Sequence, residues 1–271
     1  MQEITEPYYQ LYLNSKNFID MTDFLEHIIR IGGTVLGEHQ CGKSTLCSMV
    51  RCCLDEKLSY AEMFGKEAAA TLREKIREDL NSFPVISIDF SDFAAENYDD
   101  AISYLRRKMA DLYFSYKDYL LNPENEYLSS RDDSFSIMDE SADMNRLAYS
   151  LRELVQALNC SKPNKPFERE TVLILDESNR MNIVSNHFGY GKEMNEFIDE
   201  FLRIEPYDDL FTLLETGYKP YNSSVYGMHH CAHQYTVSRI DCLRKVCELN
   251  NIPVVDSECC TDNTPLSKKL S

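Results

Sequence analysis

The stretch Gly37-Glu38-His39-Gln40-Cys41-Gly42-Lys43-Ser44-Thr45 is a complete G-x-x-x-x-G-K-[ST] phosphate-binding signature. In such a loop the backbone N–H groups and the following helix N-terminus surround nucleotide phosphates. The Lys43 ammonium reaches the outer phosphates and the Ser44 hydroxyl ligates Mg²⁺. Downstream, Val172-Leu173-Ile174-Leu175-Asp176-Glu177 closes an apolar run with two acids. Asp176 is expected to hold Mg²⁺ through its water shell, because this small hard cation prefers oxygen ligands and dehydrates reluctantly. Glu177, one residue on, is placed to polarise an attacking water. Together these residues imply binding of a nucleoside triphosphate and its hydrolysis.

The phosphate loop needs a strand before it and a helix after it. Gly33-Thr34-Val35-Leu36 reads as the strand, and the apolar-periodic run from Leu46 reads as a helix to about Lys57. Pro84-Val85-Ile86-Ser87-Ile88-Asp89-Phe90 is a β-branched run bounded by turn residues and predicts a second strand. Leu210 to Gly217 predicts a further strand and Ile252-Pro253-Val254-Val255 a short last one. Helices are predicted over 18–30, 68–80 (at the surface), 98–121, 142–159, 191–202 and 238–250, and residues 122–140 read as a polar loop or insertion. Strands alternating with helices in this way predict an α/β fold, a three-layer αβα arrangement around a mainly parallel sheet. Three segments are expected: a helical lead-in over 1–30, the nucleotide-binding core over 31–256, and a flexible polar tail over 257–271.

Bulk properties narrow the function classes. The chain has 271 residues, is 43% hydrophobic with 17 Tyr and 13 Phe, and has ample material for a core. Its formal charge of −17 argues against nonspecific nucleic-acid binding, because a polyphosphate would be repelled. Neither a secretory signal nor a membrane span is visible. The ten Cys include adjacent pairs and one inside the phosphate loop, so they read as reduced thiols in a cytoplasmic compartment rather than as a disulfide framework.

Several stretches follow one another as in the AAA-ATPase-like proteins, which the chain resembles over about residues 8–250. They are Asn17-Phe18-Ile19-Asp20-Met21-Thr22-Asp23-Phe24-Leu25, Cys41-Gly42-Lys43-Ser44-Thr45-Leu46, Pro84-Val85-Ile86-Ser87-Ile88-Asp89-Phe90-Ser91, the acid-pair strand, Thr216-Gly217 and Ser223-Ser224-Val225-Tyr226. The resemblance implies an additional-strand P-loop NTPase core, with the acid-bearing strand inserted between the phosphate-loop strand and its partner. It also implies ATP as the nucleotide, which agrees with the lack of an Asn-Lys-x-Asp guanine-reading motif. Thr216 resembles the polar sensor of the terminal phosphate. That family often carries a restriction-endonuclease-like domain C-terminally; none is expected within these residues, so nuclease activity is not carried over.

The chain departs from the family in ways that bear on turnover. Many members resemble Arg-Pro-Arg-Arg-Phe-Gly-Lys-Ser at the loop, where this sequence places Glu38 and His39, and Ser178-Asn179-Arg180 replaces a usual Tyr-Asp. No helical lid is evident, and among Arg180, Arg203, Arg239 and Arg244 none can be assigned as an arginine finger. A non-hydrolysing, nucleotide-gated interaction module is therefore the alternative, with a protein partner or a second copy as its target. A small-molecule kinase would want an arginine-bearing lid, and 122–140 offers only Arg131. His229-His230-Cys231-Ala232-His233 concentrates metal-ligand types without a paired set to complete a site, and Cys41 beside a helix N-terminus invites a redox effect on nucleotide binding.

Overall fold

The structure is a computed structural model, and it describes residues 6–14, 25, 33–37, 42–76, 80–121, 131–160, 171–203, 210–218 and 234–237. In chain order the elements are α1 (Pro7–Asn14), β1 (Gly33–Gly37), α2 (Lys43–Leu54), α3 (Tyr60–Phe64), α4 (Lys66–Ile76), β2 (Val85–Asp89), α5 (Tyr98–Ser115) and α6 (Lys117–Leu120). They continue with α7 (Arg131–Met138), α8 (Met144–Cys160), β3 (Thr171–Asp176), α9 (Arg180–Phe188), α10 (Gly191–Phe201), β4 (Leu210–Tyr218) and β5 (Gln234–Val237). The fold is α/β, as expected.

The five strands form one parallel sheet in the order β2-β3-β4-β1-β5. β3 is buried along its whole length, which explains its unbroken apolar run: a strand covered on both faces has no solvated side to mark with polar residues. Alternate strand residues enter two separate cores. Val85, Val172, Ile174, Val35 and Leu214 pack with α1, α2 and α4, whereas Ile86, Ile88, Leu173 and Leu175 pack with α5, α8, α9 and α10. Each fully buried Leu or Ile of this kind contributes about 1.5–3 kcal/mol, and the sum fixes the register of β3.

The sheet order corrects one expectation. The strand inserted beside the phosphate-loop strand is β4, which pairs with both β1 and β3; the acid-bearing β3 lies one position further out. Local corrections have identifiable causes. The helix expected over 98–121 breaks at Tyr116, whose hydroxyl donates to the Val85 carbonyl at 2.7 Å while the Lys57 ammonium sits 3.4 Å from its ring. Holding the ring there takes residue 116 out of helical geometry, at φ −115. Within 122–140, residues 131–138 are helix α7 with Ser134 and Ile137 buried, so polarity misled there. The helix expected at the surface over 68–80 is α4, which lies at the surface and turns one stripe, Ala69, Leu72 and Ile76, into the core. Helices α3 and α9 and strand β5 are short elements that periodicity did not predict. The helix expected over 18–30, the helix over 238–250, the strand at 252–255 and the tail lie outside the described residues, apart from the buried Leu25.

Candidate functional site

Helix α2 begins immediately after Gly42, whose φ of 92° is a left-handed conformation that suits glycine. Lys43 and Ser44 are therefore the first helical residues, where backbone N–H groups lack intrahelical partners and favour negative charge. Only 4% of Lys43 is exposed. The helix is anchored from behind: the Tyr8 N–H donates to Ser48 Oγ at 3.0 Å, Ser48 donates to Glu6 at 2.9 Å, and Arg51 pairs with Glu6 at 2.8 Å.

β3 delivers the acids opposite. Asp176 shares the face of Val172 and Ile174, the face packed by α2. Its carboxylate accepts hydrogen bonds from the Ser44 and Thr216 hydroxyls. Glu177 then turns out of the strand at φ 54°, a left-handed geometry uncommon for a non-glycine residue. The turn is held at each step. The Glu177 N–H donates to Thr216 Oγ1 at 3.0 Å, the Ser178 N–H donates to the Thr216 carbonyl at 3.0 Å, and the Arg180 N–H donates to the Glu177 carbonyl at 2.9 Å. The result sets the Glu177 carboxylate 3.1 Å from the Lys43 ammonium, in a pair that is nearly buried on both sides.

The electrostatics follow from this crowding. Burial pushes the Asp176 carboxyl above the ordinary aspartate range. The Ser44 and Thr216 hydrogen bonds oppose that shift, and the negative charges of Asp89 and Glu177 add to it. The Cys47 thiol, fully enclosed one turn into α2, is likewise pushed well up by burial and then by Asp176, Asp89 and Glu177. Oxygen donors of Ser44 and Asp176 beside excess negative charge suit a hard divalent cation such as Mg²⁺. Among the described residues no three His, Cys, Asp or Glu side chains gather to hold a metal ion by themselves.

Of the residues singled out in the sequence, Lys43, Ser44, Asp176, Glu177 and Thr216 come together at one end of the sheet. Gly37 ends β1, and Gly42 and Thr45 flank Lys43 and Ser44. Glu38, His39, Gln40, Cys41 and the 229–233 cluster lie outside the described residues. The Arg180 Nε donates to the Phe93 carbonyl at 2.8 Å, and Arg203 pairs with Glu200 at 3.1 Å. Arg239 and Arg244 lie outside the described residues. Asp89 is the residue the sequence reading passed over. It ends β2 as Asp176 ends β3, which was the available signal.

No helix among the described residues is long and apolar enough to cross a membrane. No curated protein and no solved structure matches the chain. A family model described as "Predicted AAA-ATPase" matches residues 5–217, from the segment that anchors α2 to the strand that carries Thr216. The chain belongs to the AAA-ATPase-like family.

Proposed function

We propose that the protein is a Mg²⁺-dependent ATP-binding and ATP-hydrolysing module of three-layer αβα, additional-strand architecture. The observation that carries this reading is the convergence of the α2 N-terminus with its buried Lys43, the Ser44–Asp176 hydrogen bond and the Glu177 turn at the carboxyl ends of β1, β3 and β4. Ligands of open parallel sheets bind at that end. Gly37 to Thr45 contribute backbone donors to the phosphates, and Lys43 contributes the charge. Ser44 and Asp176 hold Mg²⁺, which when bound neutralises charge on the phosphates. Glu177 accepts a hydrogen bond from the attacking water. Thr216 positions Asp176 and Glu177 together, since its single hydroxyl serves both. The setting we read is reducing and cytoplasmic, where Cys47, Cys52 and Cys53 stay thiols.

The Lys43–Glu177 pair gives the reading a consequence. Each side chain holds the other, so triphosphate must draw Lys43 away before Glu177 can face water. The same contact favours a second reading, in which the pair exchanges on binding and no turnover follows. The nucleotide then gates an interaction with a protein partner or another copy. Phosphate release from the purified parent, compared with Glu177→Gln and Lys43→Ala, separates the two. Turnover in the parent that is lost about 10²–10⁴-fold in Glu177→Gln, with nucleotide still bound, supports the hydrolase. Tight binding without release in the parent supports the gate. No nucleotide binding by the parent defeats both.

A further inference from the structure

The nucleotide-site reading extends to a residue outside the phosphate loop and the acid pair. β2 and β3 are parallel and place Asp89 directly beside Asp176. Paired residues on neighbouring strands lie on the same face, so Asp89 ends its strand on the side where α2 begins. The local chain is fixed as well. The Phe90 N–H donates to the Asp176 carbonyl at 2.9 Å, tying the two strand ends together. The Ser91 N–H donates to Asp89 Oδ1 at 2.7 Å and sets the side-chain orientation.

The surroundings leave Asp89 open to water. It is exposed, and it lines a cleft of about 330 Å³ together with Ser87, Lys108 and Asp111. Lys108 is engaged elsewhere, 3.0 Å from Asp92 and stacked over the Tyr104 ring. Glu177 is committed to Lys43, and Asp176 to Ser44 and Thr216.

We propose that Asp89 is a positioning residue of the nucleotide site, its carboxylate accepting hydrogen bonds from the water shell of the Mg²⁺ held by Ser44 and Asp176. Outer-shell partners orient the ligands of a metal and tune its affinity without touching it.

The test is a Mg²⁺ titration of binding of a fluorescent ATP analogue to the full chain, read by anisotropy. Asp89→Asn keeps the oxygen that accepts from Ser91 and removes only the charge. We expect the Mg²⁺ concentration at half-maximal binding to rise about tenfold. Affinity in EDTA stays within about twofold of the parent, Asp89→Glu recovers part of the loss, and Asp92→Asn has no effect. If Asp89→Asn needs no more Mg²⁺ than the parent while Asp176→Asn needs far more, the role assigned to Asp89 is wrong and the site reading survives. If the parent shows no Mg²⁺-dependent nucleotide binding, the site reading fails and this inference with it. Asp89→Ser serves as a second variant should Asp89→Asn fold poorly, with the same two outcomes.

Discussion

β2 and β3 end in the same residue type at paired positions of the same sheet, yet the two aspartates have different environments. Asp176 is 5% exposed, covered by α2 on its face and flanked by β4 with Thr216; Asp89 is exposed and held by one backbone N–H from its own turn. The difference comes from strand order. β3 is an interior strand with β4 on one side and β2 on the other, whereas β2 is the outermost strand among those described. A carboxylate in the interior can bind a cation directly but is costly to keep charged there. One at the edge keeps its charge at little cost and stays hydrated. The same side chain thus meets a buried, hydrogen-bonded setting in one strand and a hydrated one in its neighbour.

The largest effect expected from this contrast is at Asp176. Replacing it by Ala should weaken Mg²⁺-dependent nucleotide binding about 100-fold, against about tenfold for Asp89→Ala, by isothermal titration with Mg²⁺–ATP. Equal losses at the two positions would erase the distinction between interior and edge.

Thr216→Ala comes next. It removes the hydroxyl that donates to Asp176 and accepts from the Glu177 N–H. Losing one hydrogen bond to a charged group costs about 1.5–3 kcal/mol, so binding should weaken by about tenfold or more, with Thr216→Ser close to the parent. A Thr216→Ala variant with parental binding and turnover would show that the acid pair orders itself without β4.

A smaller effect has the opposite sign and concerns stability. Burial raises the Asp176 carboxyl above its ordinary value, so the folded protein prefers the protonated form. That contribution is full at low pH and is lost as pH rises through the raised folded value. The charged form, populated above that value, opposes folding. Asp176→Asn should therefore raise Tm at pH 7 by roughly 2–4 °C, equivalent to about 1 kcal/mol. The gap should narrow on acidification, because the parent then becomes neutral too. Differential scanning calorimetry across pH checks this, and a Tm that falls at pH 7 would mean the Ser44 and Thr216 hydrogen bonds outweigh burial. Mg²⁺-dependent binding should also weaken on acidification at higher pH than an ordinary aspartate would impose, as Asp176 takes up its proton.

Much of this was legible in the residues. The strand before Gly42, the helix that starts at Lys43 and the acid pair on an apolar run are local patterns, each determined by chain geometry within a few residues. Where polarity was the guide it served α4, a surface helix, and failed at residues 131–138, which look solvated in sequence but bury Ser134 and Ile137, because a helix needs only one apolar stripe to join a core. Tyr116 broke a helix for a reason no local rule contains, a hydrogen bond to β2 made across the fold.

By itself the sequence determined which residues can do chemistry, since a glycine-bounded loop ending in Lys43-Ser44 and a strand ending in Asp176-Glu177 have the needed groups regardless of what surrounds them. Only the tertiary structure decided who neighbours whom. It set β4 rather than β3 beside β1, put Thr216 between the two acids, paired Lys43 with Glu177, and brought Asp89 alongside Asp176. Strand order is chosen by long-range packing of two cores on opposite faces, and nothing within a single strand encodes its place in the sheet.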